Sequence, residues 1–225
     1  MITSDAWSGQ FSRIVARFSN VITAQFYGHT HYDEFSVFYN TTSGLPINVG
    51  YLGPSLTPHH GLNPAYRIYL TDTKREEAST AVLDHQTYYF NLTEANNNTN
   101  RSRLDFILEY SALSSLSSLG LKDLSPESWS RYVETLATND TEWRTFYERF
   151  SRFGDYSSAA CRKDCRRDVL CRLVTSQSGD LSKCEQVRSP VTEEEEFDLF
   201  DSEEEMEFDL FGIEEEEEDW WDEEF

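Results

Sequence analysis

Two histidines separated by a single residue are the strongest chemical signal in the chain. They lie in Gly28-His29-Thr30-His31, directly after a β-rich segment at residues 21–27. Alternate side chains of an extended segment point to the same side, so the two imidazoles can address one metal cluster. Neutral imidazole is a good zinc ligand, and the nearby carboxylates of Asp33 and Glu34 can orient such ligands. The alternative interpretation is a pair of surface histidines in a turn.

The other three histidines carry weaker signals. His59 and His60 lie in a proline-containing loop after a strand, where they either face the same site or are solvated. His85 stands at the start of a strand and is interpreted as structural. No residue is assigned a catalytic proton transfer from the sequence.

The four cysteines form one cluster. They are Cys161, Cys165, Cys171 and Cys184, all within 24 residues. An even, clustered set indicates disulfides formed in an oxidising compartment. A structural zinc site is the competing interpretation, but it fits poorly because the cysteines include no C-x-x-C pair and no histidine lies near them.

Five N-x-S/T sequons favour the same compartment. They begin at Asn40, Asn91, Asn97, Asn100 and Asn139. Together with the cysteines they predict a secreted or lysosomal glycoprotein. The first residues lack the basic and apolar regions of a signal peptide, which conflicts with that compartment. The sequence therefore predicts that the chain is a fragment, the C-terminal part of a longer protein.

Composition excludes several classes of protein. The 225 residues are 38% hydrophobic and 14% aromatic, enough for a packed core and too much for a wholly disordered chain. No apolar run approaches the ~20 residues that span a bilayer. The net charge is −22, but residues 193–225 hold 20 of the 41 acidic residues and no Lys or Arg. This anionic tail argues against nucleic acid or an anionic membrane surface as partner.

Short strands are predicted first and helices later. Strand signals lie at residues 21–27, 35–39, 47–52, 66–70 and 87–92, after one helical segment at residues 11–19. An asparagine-rich hinge at residues 96–100 follows, and after it only helices are expected.

Three helices are predicted after the hinge. The first begins with Ser125 as its N-cap and Pro126 as its first residue. The second begins at Asp140, with Gly154 predicted to end it. The third covers residues 161–173. Aromatic residues at helical spacing in the first two helices are interpreted as core rather than as a cofactor site.

The tail from about residue 191 is predicted to be disordered, because its density of like charge opposes packing. The sequence Glu196-Phe197-Asp198-Leu199-Phe200 recurs at residues 207–211. The sequence leaves three alternatives for the tail. In the first it is freely solvated, and in the second it folds back over the basic stretch at residues 162–172. In the third the two copies of the repeated sequence bind a protein partner.

Several segments in order resemble the C-terminal half of acid sphingomyelinases, which are calcineurin-like metallophosphoesterases. The resemblance covers about residues 11–187 and is carried by residues 13–18, 24–35, 61–67, 82–88 and 91–93 and by the cysteine spacing C-x3-C-x5-C-x12-C. The Gly-His-x-His motif alone is found throughout the wider superfamily, whereas these segments and the cysteine spacing, occurring together and in this order, are specific to acid sphingomyelinases.

The resemblance implies a fold and a set of residue roles. The fold is α/β (α+β): half of a metallophosphoesterase β-sandwich at residues 1–95, a helical disulfide-bonded domain at residues 96–190, and the acidic tail at residues 191–225. The family holds two zinc ions and hydrolyses sphingomyelin to ceramide and phosphocholine. His29 would ligate one zinc and His31 the other, and the loop of His59 and His60 corresponds to the substrate rim.

The resemblance also implies the pairs Cys161–Cys165 and Cys171–Cys184. The sequence departs from the family in its metal ligands. The D-x-H, G-D-x-x-D and G-N-H motifs and one further histidine are not found, so five of seven expected ligands are missing.

The sequence leaves three functions open. The first is part of a sphingomyelin phosphodiesterase acting at a membrane surface, inactive as this chain alone. The second is a related phosphodiesterase acting on nucleotides or other phosphoesters. The third is a non-catalytic glycoprotein binding module whose acidic tail recruits a partner.

Overall fold

The computed structural model describes residues 5–72, 80–97, 105–116, 121–154 and 161–187. These residues form a mixed α/β structure with two small sheets and several helices, as the sequence predicts. Contacts divide the chain into a unit Met1–Ser189 and a second unit Pro190–Phe225, and only the first contains described residues. The predicted disorder of the tail therefore lies outside them.

The first sheet carries the histidine motif. Its strands are β1 (Gln25–Tyr27), β2 (Glu34–Tyr39) and β3 (Pro46–Leu52), in the order β1-β3-β2. Strands β2 and β3 form an antiparallel hairpin, while β1 runs parallel to β3. Gly50 is required in β3, because a Cβ there would lie 2.8 Å from the Tyr27 ring. Helix α1 (Asp5–Arg17) precedes the sheet and begins earlier than the predicted residue 11.

The second sheet is antiparallel and contains a strand that the sequence analysis missed. Its strands are β4 (Ala65–Thr71), β5 (Val82–Tyr89) and β6 (Ile107–Ser111), in the order β4-β5-β6. The expectation of helices alone after the hinge was wrong, since β6 pairs with β5 and buries Tyr110. The predicted domain boundary near residue 95 stays a prediction.

The predicted strand at residues 87–92 ends early. After Tyr89 the chain turns into helix α2 (Leu92–Asn97). The side-chain oxygen of Asn91 accepts a hydrogen bond from the Glu94 backbone N–H at 2.9 Å, an N-cap contact that starts the helix. The strand preference of this segment is thus outweighed by the N-cap at Asn91.

Five helices follow, three of them as predicted. They are α3 (Ala112–Leu116), α4 (Pro126–Thr138), α5 (Asp140–Phe150), α6 (Lys163–Val174) and α7 (Ser182–Gln186). Ser125 caps α4 by accepting from the Ser128 N–H at 3.3 Å, with Pro126 at the first position. Asn139 caps α5 in the same way. In the described ranges no helix is long and apolar enough to cross a membrane.

The aromatic stripes of α4 and α5 are core, as predicted. Trp129, Tyr132, Trp143 and Phe146 are all buried. The ring of Trp129 lies 4.2 Å from that of Phe35 in β2, so the helices pack on the first sheet. The two sheets meet through aromatic rings as well, including Tyr51 and Tyr69, whose centroids are 5.7 Å apart.

Two disulfides bind the helical part. Cys161 is bonded to Cys165 at the start of α6, and Cys171 of α6 is bonded to Cys184 of α7. These are the pairs that the family resemblance implies. The first disulfide links residues only four positions apart and therefore constrains the chain little. The second holds α7 against α6.

Protein produced through a secretory route should therefore contain no free thiol. Thiol labelling of the denatured, unreduced chain should give no adduct. Cys171→Ser should give one, on Cys184, and should lower the free energy of unfolding by roughly 3 kcal/mol, because the loop between α6 and α7 is no longer closed. Two or more labelled cysteines in the unmodified chain would contradict the pairing.

Candidate functional site

The histidine motif forms a bent turn between β1 and β2. His29 and His31 have φ values of 90° and 66°, in the left-handed region that side chains with a Cβ rarely adopt. The extended geometry predicted for the motif was therefore wrong, and the left-handed φ values fall on the two histidines rather than on Gly28. Such backbone strain persists only where the surrounding structure holds it in place.

A third imidazole joins the turn from a different loop. His59 begins a one-turn 3-10 helix, His59–Gly61, and its ring centroid lies 5.9 Å from that of His31. The two loops are also tied by the backbone, since the Ser55 N–H donates to the His31 carbonyl at 3.4 Å. His29 and His59 are exposed and His31 is half-buried, so a ligand can reach this place. The side chain of His60 lies outside the described residues.

Asp33, two residues after His31, anchors the turn in the protein interior. It forms an ion pair with Arg67 of β4, and both side chains are at most 5% exposed. The carboxylate also accepts hydrogen bonds from the hydroxyls of Thr87 and Tyr110 at 3.1 Å. The Asp33 N–H donates to the Phe150 carbonyl at the end of α5, at 3.1 Å. The second sheet therefore binds the Asp33 carboxylate, while the end of α5 binds its backbone.

Glu34 forms the second ion pair behind the turn. Its buried carboxylate accepts from Arg172 of α6 at 2.9 and 3.0 Å. The Arg172 guanidinium also lies over the rings of Tyr32 and Phe150, with distances of 5.8 and 5.6 Å to their centroids. From the sequence, Asp33 and Glu34 are predicted to orient zinc-binding imidazoles. In the described residues their carboxylates are instead engaged by arginines and hydroxyls, so they hold the turn from behind.

A separate cavity lies beside the ion pair. It is small and partly open to solvent, and it is lined by Arg67, His85, Tyr110, Trp129 and other residues, but not by His29, His31 or His59. His85 is 1% exposed, and its Nδ1 has no hydrogen-bond partner in the described part of the chain. Burial, reinforced by the charge of Arg67, holds the pKa of His85 well below 6.5, so the imidazole is neutral. His85 is thus a core residue, as predicted.

Two further ionisable side chains lie nearby, of which Glu109 is half-buried and Arg152 is buried. Glu109 of β6 has both carboxylate oxygens without a hydrogen-bond partner among the described residues. Burial and the charge of Asp33 raise its pKa to about 9, against the opposing charges of Arg149, Arg67 and Arg152. Arg152 is fully buried, and burial lowers its pKa to about 10. Glu109 is consequently protonated at neutral pH.

Comparison with known proteins identifies the family. The family model described as "Acid sphingomyelin phosphodiesterase C-terminal region" matches residues 45–189, well over half of the chain. The chain belongs to this family. The family resemblance in the sequence analysis is thus confirmed.

Individual relatives agree with this assignment. The chain is 37% identical over 180 residues to a sphingomyelin phosphodiesterase of Bos taurus and to one of Homo sapiens, covering 80% of this chain and 28% of each relative. It is 31% identical over 177 residues to a cyclic GMP-AMP phosphodiesterase of Mus musculus, covering 76% of this chain and 37% of that relative. The chain therefore spans less than two fifths of the length of these relatives.

The residues that the structure describes do not by themselves fit the two-zinc site that the family resemblance implies. Across the described ranges, no three His, Cys, Asp or Glu side chains are grouped so that they could hold a metal ion. A catalytic zinc site uses three protein ligands and an open position. His29 and His31 therefore offer imidazoles for part of such a site, and the proposed ligand roles stay a prediction.

Several residues around the turn were missed as functional by sequence reasoning. Arg67, Tyr110 and Arg152 acquire their importance from contacts across more than 30 residues of chain. One local signal was available, since Arg67 is a cation within an otherwise apolar and aromatic strand. A charge in such a strand indicates a buried partner.

The predicted glycosylation sites remain predictions. Asn97 and Asn139 are exposed, Asn40 and Asn91 are half-buried, and Asn100 lies outside the described residues. The side-chain oxygens of Asn40, Asn91 and Asn139 accept backbone hydrogen bonds. The amide nitrogen, to which a glycan is attached, is a different atom from these acceptors.

Arg67→Met should destabilise the protein by about 3–5 kcal/mol, because it leaves the buried Asp33 carboxylate without its cation. Chemical denaturation measures this loss. Adding Asp33→Asn should restore part of the stability, since no unpaired charge is then buried. The matched control is Arg167→Met, whose partner Asp164 is largely exposed and whose loss should cost about 0–1 kcal/mol. A cost for Arg67→Met as small as that of the control would contradict the anchoring role.

Glu109 should make the protein less stable as pH rises. Its folded pKa of about 9 lies above its ordinary value of 4.5, so the folded state keeps a proton that the unfolded state releases. The stabilisation is complete below pH 4.5 and is lost as pH rises toward 9. Glu109→Gln should reduce the decrease in stability between pH 5 and pH 9, measured as the midpoint of urea unfolding at each pH. The exposed Glu94→Gln is the control and should leave the slope unchanged. An unaltered slope in Glu109→Gln would refute the assignment.

Proposed function

We propose that the chain is the C-terminal part of a zinc-dependent sphingomyelin phosphodiesterase, which hydrolyses sphingomyelin to ceramide and phosphocholine. The observation that carries this proposal is the match of residues 45–189 to the C-terminal region of the acid sphingomyelin phosphodiesterase family. The relatives with 37% identity are named sphingomyelin phosphodiesterases, which favours the same substrate here.

In this proposal the chain supplies one wall of the active site. His29 and His31 each contribute one imidazole to a pair of zinc ions, and the remaining ligands come from the part of the protein that this chain does not contain. His59 stands beside His31 and would border the bound phosphodiester, with His60 next to it in the same loop. The buried ion pairs of Asp33 and Glu34 would keep the turn fixed while substrate binds.

Exposed apolar surface supports the idea of a missing partner segment. Large apolar side chains are exposed on α1, including Trp7 and Ile14, and on the second sheet, including Ile68, Leu70 and Leu83. Exposed apolar surface of this kind often marks a contact face. In this proposal the rest of the catalytic domain covers it.

A second candidate is a phosphodiesterase acting on a nucleotide. The relative of Mus musculus with 31% identity is named a cyclic GMP-AMP phosphodiesterase. Both candidates use the same hydrolytic chemistry, so the headgroup specificity distinguishes them. The higher identity to the sphingomyelin phosphodiesterases favours the first.

The proposed compartment is secretory or lysosomal. Two disulfides and exposed sequons fit an oxidising route of synthesis. The sphingolipid substrate would be met at a membrane surface. No nucleic-acid partner is proposed, and a protein partner for the acidic tail stays a hypothesis.

The isolated chain should bind zinc weakly and hydrolyse no phosphodiester, because it holds too few ligands for either ion. A chimera tests the function directly: the chain replaces the matching C-terminal segment of the Bos taurus relative. The chimera should hydrolyse sphingomyelin, and His29→Ala or His31→Ala should reduce its turnover below detection. The exposed Lys122→Ala is the control and should leave turnover unchanged.

The outcomes separate the candidates. Faster hydrolysis of cyclic GMP-AMP than of sphingomyelin by the chimera would favour the nucleotide candidate. A folded chimera with no turnover of either substrate would favour a binding module. Tight stoichiometric zinc and sphingomyelin hydrolysis by the isolated chain would overturn the division of ligands between two segments.

A further inference from the structure

The turn that follows α5 has an unusual backbone. In this segment, residues 151–154 (the α5 turn), Arg152 and Phe153 have consecutive φ values of 52° and 49°. Six non-glycine residues in the described ranges have positive φ, and four of them lie in the α5 turn or the histidine turn. Strained backbone of this kind clusters at functional sites.

The α5 turn contacts the loop that carries His59, residues 55–63 (the rim loop). The Arg152 guanidinium donates through Nη1 to the Ser55 carbonyl. In return, the Asn63 side-chain amide donates to the carbonyls of Arg152 and Phe153 at 2.9 and 3.1 Å. The rim loop is thus attached to the α5 turn at both ends.

The same part of the molecule also holds the histidine turn. Phe150, the last residue of α5, accepts the hydrogen bond from the Asp33 N–H. Ser55, which accepts from Arg152, donates its own N–H to the His31 carbonyl. One short segment therefore connects the loop of His59 with the turn of His31.

Gly154 leaves no space between the α5 turn and the rim loop. A Cβ at this position would overlap the Gly61 carbonyl oxygen and lie 3.1 Å from the Leu62 Cα. Both neighbours are backbone atoms that cannot rotate away. Any side chain at Gly154 must therefore displace the rim loop.

Stability alone does not explain Arg152. Its side chain is fully buried, yet Nε and Nη2 have no hydrogen-bond partner among the described residues. The negative charge of Asp33 offsets the buried cation only in part. Arg152 forms no ion pair within the described residues, so its buried charge loses hydration without a matching carboxylate. An apolar residue of similar volume removes that desolvation cost. Among the described residues the guanidinium makes one hydrogen bond, to the Ser55 carbonyl, and this bond is the contact that matters for the site.

We propose that Arg152 and Gly154 are positioning residues, and that the α5 turn fixes the placement of His59 against His31. The helical part of the chain thereby sets the shape of the substrate rim. The effect on catalysis rests on the proposed phosphodiesterase function, whereas the placement of His59 against His31 does not depend on it.

The first test uses the full chain and Arg152→Met. Histidine ring resonances are assigned by single His→Asn variants, and the nuclear Overhauser contact between the rings of His31 and His59 is measured. Arg152→Met should abolish this contact while the thermal unfolding midpoint stays unchanged or rises. The matched control is the exposed Arg131→Met, which should leave the contact intact.

The second test uses Gly154→Ala. It should shift the His31 and His59 resonances and leave those of His85 in place. Gly9→Ala is its control, because a Cβ there would meet only the Gln177 side chain at an ordinary distance of 3.7 Å.

Turnover provides the functional measurement. In the chimera, Arg152→Met should lower kcat by at least about tenfold, since small displacements of a site cost that much or more. An inactive chimera would remove the link to catalysis, while the ring contact would still decide the geometric claim. Retention of the ring contact in Arg152→Met would overturn the proposal. So would its loss together with a fall in the unfolding midpoint, which would assign Arg152 a purely structural role.

Discussion

The buried ion pair between Asp33 and Arg67 is the constraint on which the described structure depends. Asp33 lies where the histidine turn enters β2, and Arg67 lies in the middle of β4. Thr87 of β5 and Tyr110 of β6 donate to the same carboxylate. All three strands of the second sheet therefore converge on one residue next to the first sheet. A buried pair of this kind contributes less to net stability than to the uniqueness of the arrangement, because desolvation consumes much of its attraction.

The strain in the histidine turn follows from this anchoring. The chain must pass from β1 to β2 with Asp33 held by Arg67 and Glu34 held by Arg172, and it does so with left-handed φ values at His29 and His31. Neither histidine would adopt this backbone in a free loop. The two ion pairs supply the restraint, and they draw on both the second sheet and helix α6. The exposed site is thus rigid because of charges buried behind it.

The helical part is more than an appendage to the sheets. Its aromatic faces pack on β2, and Phe150 and the α5 turn contact the histidine turn and the rim loop. The family model covers residues 45–189, and these residues include both the helices that pack on the first sheet and the turn after α5.

The sequence by itself determined the features that depend on neighbouring residues. The cap at Ser125, the start of α5 at Asp140, the aromatic faces of α4 and α5, and most strands are found where the sequence predicts them, because capping and periodicity act over a few residues. The histidine motif was recognisable for the same reason. Only the tertiary structure decided the rest. Strand β6, the contact of His31 with His59, and the roles of Arg67 and Arg152 all depend on contacts between residues at least 18 positions apart, which no local pattern encodes.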